Sequence, residues 1–288
     1  MVSSSDPVSP GVGAGTAAPA LPDAAASDAA ASDAAAVPDA AAVPDAAAVP
    51  DAAAPAAPDA AAPVVGTPWS RLALAMGARP ALVIAFGAAL WAMGRPLLWM
   101  NVLIVVIDVV TLALVHRLLR AEGRGLTDLL SFRGADVGWG LLCGLISLVA
   151  WMPAFLIGNL VAYQGAPPAP SYPPVPLWIG VLSITIMPVT IGLAEEALYR
   201  GYLQPRLQGR IGLVGAVLAA SVVFGLQHIG FALPDAQAMV ANVVRTFLAG
   251  LVFAGLLTWR RRVAPLAVGH WLMDLLGLGL PMLIWSLQ

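Results

Sequence analysis

The sequence is short of charge, cysteine, histidine and lysine, and each shortage narrows what the chain can be. Charged residues make up 10% of the 288 positions against 60% hydrophobic, with a mean hydropathy of +0.86. Apolar runs at that density indicate a polytopic helical membrane protein. The single cysteine, Cys143, lies inside an apolar run. It excludes a disulfide framework or a cysteine metal cluster and reads as a small buried hydrophobe. Lysine is absent, so all fourteen basic residues are Arg, a bias that together with the low sequence complexity hints at a GC-rich genome. The start, Met1-Val2-Ser3-Ser4-Ser5-Asp6, lacks the basic n-region and apolar h-region of a signal peptide. The first apolar segment is left to act as the targeting signal.

Residues 1–66 lack every basic residue and the large side chains that build a core. Asp-Ala-Ala-Ala-Val-Pro recurs from Asp33, Asp39 and Asp45, with decayed copies around it. A proline every six residues removes helical hydrogen bonds before a nucleus can grow. The expectation is a disordered, weakly anionic tail over 1–66, followed by one membrane domain over 67–288. The tail holds eight of the sixteen acidic residues, so the body carries fourteen Arg against eight acids, a net charge of +6. The near-neutral total is a cancellation between the two parts and points to no nucleic-acid partner.

What remains is a series of apolar segments, approximately 72–93, 97–119, 137–163, 177–204, 211–231, 239–259 and 263–287. Each has about twenty or more residues, enough to cross a hydrocarbon core of about 30 Å at 1.5 Å per residue. Gly277, Gly279 and Pro281 interrupt the last, so the reading is an all-α bundle of seven or eight spans. Arg clusters fall in alternate connections, which by the positive-inside rule puts the N-terminus in the cytoplasm of a bacterial-type plasma membrane. Leu126 to Phe132 reads as a short interfacial helix, and His116, beside Arg117, as an interfacial side chain.

Against this apolar background, Glu195-Glu196-Ala197-Leu198-Tyr199-Arg200 closes a run without charge from Leu177 to Ala194. A charge placed centrally in a membrane costs about 2.5–3.5 kcal/mol on insertion scales, so such residues are functional candidates. Glu196 and Arg200 are four apart, acid before base, and can neutralise each other on one helix face. Glu195 then points elsewhere without a local partner, and desolvation of such a carboxylate suits a general base. The alternative is a charged helix end stabilised by one salt bridge. Two further clusters follow on later spans. Phe224 and His228 share a face, as do His270 and Asp274. A His–Asp pair fixes the imidazole tautomer, though each cluster could equally be a structural hydrogen bond. Asp108, alone in its span, reads as a structural partner for a polar group on another helix, with Arg245 the candidate cation.

The order Glu-Glu-x-x-x-Arg, Phe-x-x-x-His, His-x-x-x-Asp on successive apolar spans resembles the CPBP family of intramembrane proteases. That family includes CAAX prenyl endopeptidases and bacteriocin-processing or immunity proteins. The resemblance covers roughly residues 177–277; the tail lies outside it, and the first three spans match only as generic membrane helices. It implies a helical peptidase with a polar intramembrane cavity open to the cytoplasm. Glu195 and His228 would activate a water, Glu196 and Arg200 would complete the first motif, and His270 with Asp274 would stabilise the oxyanion. The family more often has Asn where Asp274 stands. An ionised Asp cannot donate to an oxyanion, so Asp274 is either protonated or orients His270. Glu195, His228, His270 and Asp274 also have the donors of a zinc site, and metal-bound and metal-free mechanisms are equally open.

Counted from the Arg-rich ends, Glu195 and His270 lie about 12–16 Å deep and His228 about 25 Å. A straight fifth helix from Ile211 would keep them apart; a late start at Gly212 or Gly215 would bring them together. The substrate is expected to be a precursor peptide or membrane-protein tail presented from the lipid bilayer. The rivals are a non-catalytic adaptor or bacteriocin-immunity protein of the same fold, and a proton-coupled transporter. The last expects inverted repeats, which the sequence does not display.

Overall fold

The computed structural model describes residues 59–169 and 173–288, within one compact unit spanning Ala53–Gln288. The repeat tail up to residue 58 lies outside the described residues. The rest is helical, with no strand among the described residues. The helices are α1 (Trp69–Ala92), α2 (Met100–Arg120), the one-turn α3 (Leu126–Leu129), α4 (Gly134–Tyr163), α5 (Leu177–Glu195), α6 (Gln204–Gln227), α7 (Ala236–Arg260), α8 (Val263–Asp274) and the short α9 (Leu280–Ser286).

Six helical stretches are long and apolar enough to cross a membrane, giving a multi-pass integral membrane architecture. Seven or eight had been expected. The difference arises between α5 and α6, which count as one stretch of 55 residues, Leu177–Phe231, kinked at Gly212 and longer than a single crossing of about 20 residues needs. A π-helical segment, Glu196–Leu203, links them without breaking the helical course. The chain departs from helical angles at Gly212, with φ 73° and ψ 172°, a conformation that favours a residue lacking Cβ. The remaining part of α6 runs from 213 to 227, about 22 Å at 1.5 Å per residue. The start moves by only two residues, about 3 Å, too little for a late start alone to bring His228 to the depth of Glu195 and His270. The last stretch is likewise continuous: its glycines form a π-helical turn, Leu275–Gly279, instead of a break.

Side-chain patterning explains which faces are buried. In α1 the buried positions are Leu72, Ala75, Arg79, Val83, Gly87 and Leu90, a stripe at steps of three and four. Arg79 lies on that stripe. In α2 the stripe runs through Ile104, Asp108, Thr111 and Val115, so its one acid also faces inward. The outward faces are apolar. On α4, Leu145, Val149, Met152, Leu156 and Leu160 are each more than half exposed, a ridge that only lipid would solvate favourably. Caps close the helix ends: Asp136 accepts from the Arg133 amide at 2.8 Å at the start of α4, and Asp235 from the Ala238 amide at 3.0 Å at the start of α7. Cys143 is fully buried, as expected, and His116 is exposed.

Close helix approach depends on small residues. A Cβ on Gly192 of α5 would stand 2.8 Å from the Ala267 carbonyl oxygen and 3.1 Å from the Trp271 amide nitrogen of α8. With only hydrogen at that point the two backbones touch. Three and four residues further along the chain come Glu195, the last residue of α5, and Glu196, the first of the π-helical segment; between Ala267 and Trp271 stands His270. The tight crossing therefore sets the acids against the imidazole.

Candidate active site

Four helices and the π-helical segment supply the charged groups at the centre of the bundle. Arg79, Asp108, Glu195, Glu196, Arg200, His270 and Asp274 are all at most 5% exposed. Arg79 connects three helices. Its Nη1 donates to Asp108 Oδ1 at 2.7 Å and to Thr111 Oγ1 at 3.1 Å, its Nη2 to Glu195 Oε1 at 2.8 Å, and its Nε to Gln227 Oε1 at 3.0 Å. Asp108 is therefore a structural partner for a cation, but the cation is Arg79 and not Arg245. Arg245 instead bonds to Asn242, one turn away on its own helix.

Glu195 is not the unpartnered carboxylate that helical spacing suggested. Its Oε1 accepts from Arg79 and from Gln227 Nε2 at 2.9 Å. Spacing along one helix reports only local partners, whereas these two come from 116 and 32 positions away. The other oxygen, Oε2, accepts no hydrogen bond among the described residues and lies 3.5 Å from His270 Nε2. One oxygen is fixed by a guanidinium and an amide, and the second is presented to an imidazole. Gln227 is itself held by the Tyr199 hydroxyl, which donates to its Oε1 at 2.8 Å.

Glu196 divides its contacts as well. Arg200 Nη1 donates to its Oε1 at 3.3 Å, the pair foreseen from i,i+4 spacing. The same oxygen accepts from His270 Nδ1 at 2.8 Å. This leaves Nε2 as the ring atom directed at Glu195 Oε2 and Asp274 Oδ2, the latter 3.6 Å away. The partner that fixes the His270 tautomer is thus Glu196, 74 positions earlier, while Asp274 faces the opposite nitrogen. Phe253 stacks on the His270 ring at 4.6 Å and 21°, closing one face of it. Arg200 also reaches the Gly250 carbonyl at 3.2 Å and lies 4.6 Å above the Phe224 ring.

His228 stands one aromatic ring away. Phe224 lies edge-on to His228 at 5.1 Å and to His270 at 6.2 Å. His228 Nδ1 donates to the Phe224 carbonyl at 2.8 Å, since a carbonyl can only accept, which makes Nε2 the lone-pair nitrogen of the neutral ring. No hydrogen bond or ion pair joins the His228 ring to Glu195 among the described residues. The link runs through its neighbour Gln227.

The structure thus draws Glu195, Glu196, Arg200, His270 and Asp274 into one contiguous group and sets His228 at its edge. It adds Arg79, Gln227, Tyr199 and Phe253, whose roles sequence reasoning missed, and supplies Arg79 as the cation for Asp108. Arg79 carried a signal: a lone cation several residues inside an apolar span is costly, and it falls on the buried stripe of α1. Among the described residues, no group of three or more His, Cys, Asp or Glu is arranged to hold a metal ion. The zinc arrangement of Glu195, His228, His270 and Asp274 does not fit their placement. Two cavities lie apart from the charged group, lined by residues of the 60–71 segment, the Glu122–Ser131 connection and Arg262–Ala264.

Residues 176–276 match the family model described as Type II CAAX prenyl endopeptidase Rce1-like. The match covers about a third of the chain and takes in all three charged motifs. No curated protein and no solved structure matches the chain.

Proposed function

We propose that this protein is an intramembrane endopeptidase that hydrolyses a peptide bond of a membrane-associated or precursor substrate through a water activated by Glu195 and His228. The observation that carries this reading is the asymmetry of Glu195. Oε1 is tied to Arg79 and Gln227, which orients the carboxylate, and Oε2 is left to take a proton. Water gives one proton to Glu195 as its oxygen adds to the carbonyl carbon, and the carbonyl π electrons move onto oxygen. His228, whose Nδ1 is used by the Phe224 carbonyl, would offer the lone pair of Nε2 to the same water. His270, held through Nδ1 by Glu196, keeps Nε2 3.5 Å from Glu195 Oε2 and 3.6 Å from Asp274 Oδ2, and its protonated Nε2 donates towards the developing oxyanion. Collapse of the tetrahedral species breaks the C–N bond, and the proton held by Glu195 passes to the leaving amine. Arg200, clamped by Glu196 and Gly250, positions Glu196 and touches no reacting atom in this scheme. Asp274, whose Oδ2 lies 3.6 Å from His270 Nε2, fits the role of a charge that favours the protonated ring better than that of an oxyanion donor.

The resemblance of the motif region to CAAX prenyl endopeptidases supports the reaction class, and the substrate need not be prenylated. The test is to reconstitute the purified protein with candidate membrane peptides and map cleavage by mass spectrometry, with Glu195→Gln as the control. Cleavage by the wild type and its loss in the variant support the reading. Equal cleavage by both would overturn it, and so would no turnover of any substrate trapped by the variant, which would favour a non-catalytic adaptor.

A further inference from the structure

A second feature lies outside the charged centre, at the end of the bundle where α1 begins. A cavity of about 320 Å³ is lined by the 64–68 segment, Arg71, Glu122 and Arg124. The acid in that wall is committed: Arg206 donates to both oxygens of Glu122, from Nε to Oε1 at 3.0 Å and from Nη2 to Oε2. Arg71 and Arg124 form no ion pair among the described residues, so two guanidiniums face one cavity in excess of carboxylate. The segment forming the remaining wall is fixed. Val64 donates its amide to the Pro205 carbonyl at 2.8 Å, and Arg210 donates to the Thr67 carbonyl.

The surroundings are those of a lipid headgroup. Trp69, half exposed, carries the Arg210 guanidinium 5.1 Å over its ring, the amphipathic arrangement typical of a membrane interface. Val65, at the rim, is 76% exposed. Arg forks match phosphate oxygens in geometry and charge, and exposed apolar side chains beside them suit an anion that carries a hydrocarbon tail. We propose that this cavity binds the phosphate of an anionic phospholipid headgroup between Arg71 and Arg124, with Trp69 and Val65 against the lipid body. The assignment is independent of the hydrolytic reading, because none of these residues belongs to the charged centre.

The experiment uses the full chain in nanodiscs of phosphatidylcholine doped with phosphatidylglycerol, with retained phosphatidylglycerol measured by native mass spectrometry after release. The Arg71→Gln/Arg124→Gln variant is expected to retain about fivefold less of it than wild type. Arg117→Gln/Arg120→Gln makes the same charge change on exposed side chains at the end of α2 and is expected to retain the wild-type amount. Arg124→Gln alone, outside any helix, gives a partial loss and keeps the test open if the double variant misfolds. Inorganic phosphate at millimolar concentration is expected not to displace the lipid. Undiminished retention in the cavity variants would overturn the proposal, as would equal loss in the Arg117/Arg120 control. Displacement by phosphate alone would assign the cavity to a free anion and overturn the lipid assignment.

Discussion

Arg79 Nη2 meets Glu195 Oε1 at 2.8 Å, an ion pair between the first transmembrane helix and the end of α5, across 116 positions of sequence. Both groups are almost wholly buried, and the same guanidinium also holds Asp108. The first two spans, generic in sequence, thereby help to build the charged centre. The relationship gives the motif region, 176–276, a partner outside the matched segment.

Removing that guanidinium strands two buried carboxylates. Arg79→Met is expected to destabilise the protein by about 3–5 kcal/mol, the cost of leaving buried charge uncompensated. Thermal unfolding in detergent would read this as a lowered Tm. The Arg79→Met/Asp108→Asn double variant should recover part of the loss, and a cycle without coupling between the two would show that the contact holds nothing.

Glu195→Gln keeps the shape and an acceptor for Arg79 while removing the base. Turnover of a cleaved substrate should fall by about 10²–10⁴-fold, the usual contribution of a general base, with folding little changed. The comparison is of kcat at matched Tm.

Glu196→Gln tests the His270 tautomer. A Gln at this position has an acceptor oxygen but also an NH₂ that can turn towards Nδ1 and reverse the ring. A loss of about 10–100-fold is expected, seen in kcat more than in KM, together with a changed ¹⁵N shift of the His270 ring. An altered rate with an unaltered ring signal would mean that Glu196 acts otherwise.

The α5–α8 crossing tolerates no side chain at its centre. Gly192→Val would drive Cβ towards a backbone carbonyl 2.8 Å away, and backbone cannot swing aside. Turnover should be lost, and Tm should fall by more than for Gly138→Val on the exposed face of α4, where a Cβ meets open space and the backbone is helical. Equal behaviour of the two would count against the crossing.

At the tail end of the body, Asp59 pairs with Arg261, and the guanidinium holds the Asp59 carboxyl below the usual carboxylate range. A lowered folded-state pKa means that this attachment is present above the unfolded value and is lost as pH falls through the folded one. The hydrogen-exchange protection factor of Ala60, whose amide donates to the Arg261 carbonyl at 2.9 Å, should fall on acidification below that range, after correction for the intrinsic pH dependence of exchange. Asp59→Asn should show the lower protection factor at neutral pH and no further fall on acidification.

Much of this was legible from residue order. Apolar length gave the spans, because a bilayer demands about twenty residues per crossing. The i,i+4 rule gave the Glu196–Arg200 pair, since both lie one turn apart on continuous helix. The same rule misjudged Glu195, because its two partners come from other helices. The continuous helical course from α5 into α6 was also not legible, since Gln204-Pro205-Arg206 and Gln208-Gly209-Arg210 read as a polar break that the structure keeps helical.

The sequence by itself determined that the chain is a helical membrane protein and which few polar residues it keeps in apolar spans, because burying charge in lipid is too costly to be incidental. Only the tertiary structure decided what each of them faces. Arg79 neutralises both Asp108 and Glu195, Glu196 orients His270, and Asp274 meets the far nitrogen of that ring. Those pairings follow from how closely glycine lets α5 approach α8 and from the rotation of α1 about its own axis. Neither is written in the spacing of any one helix.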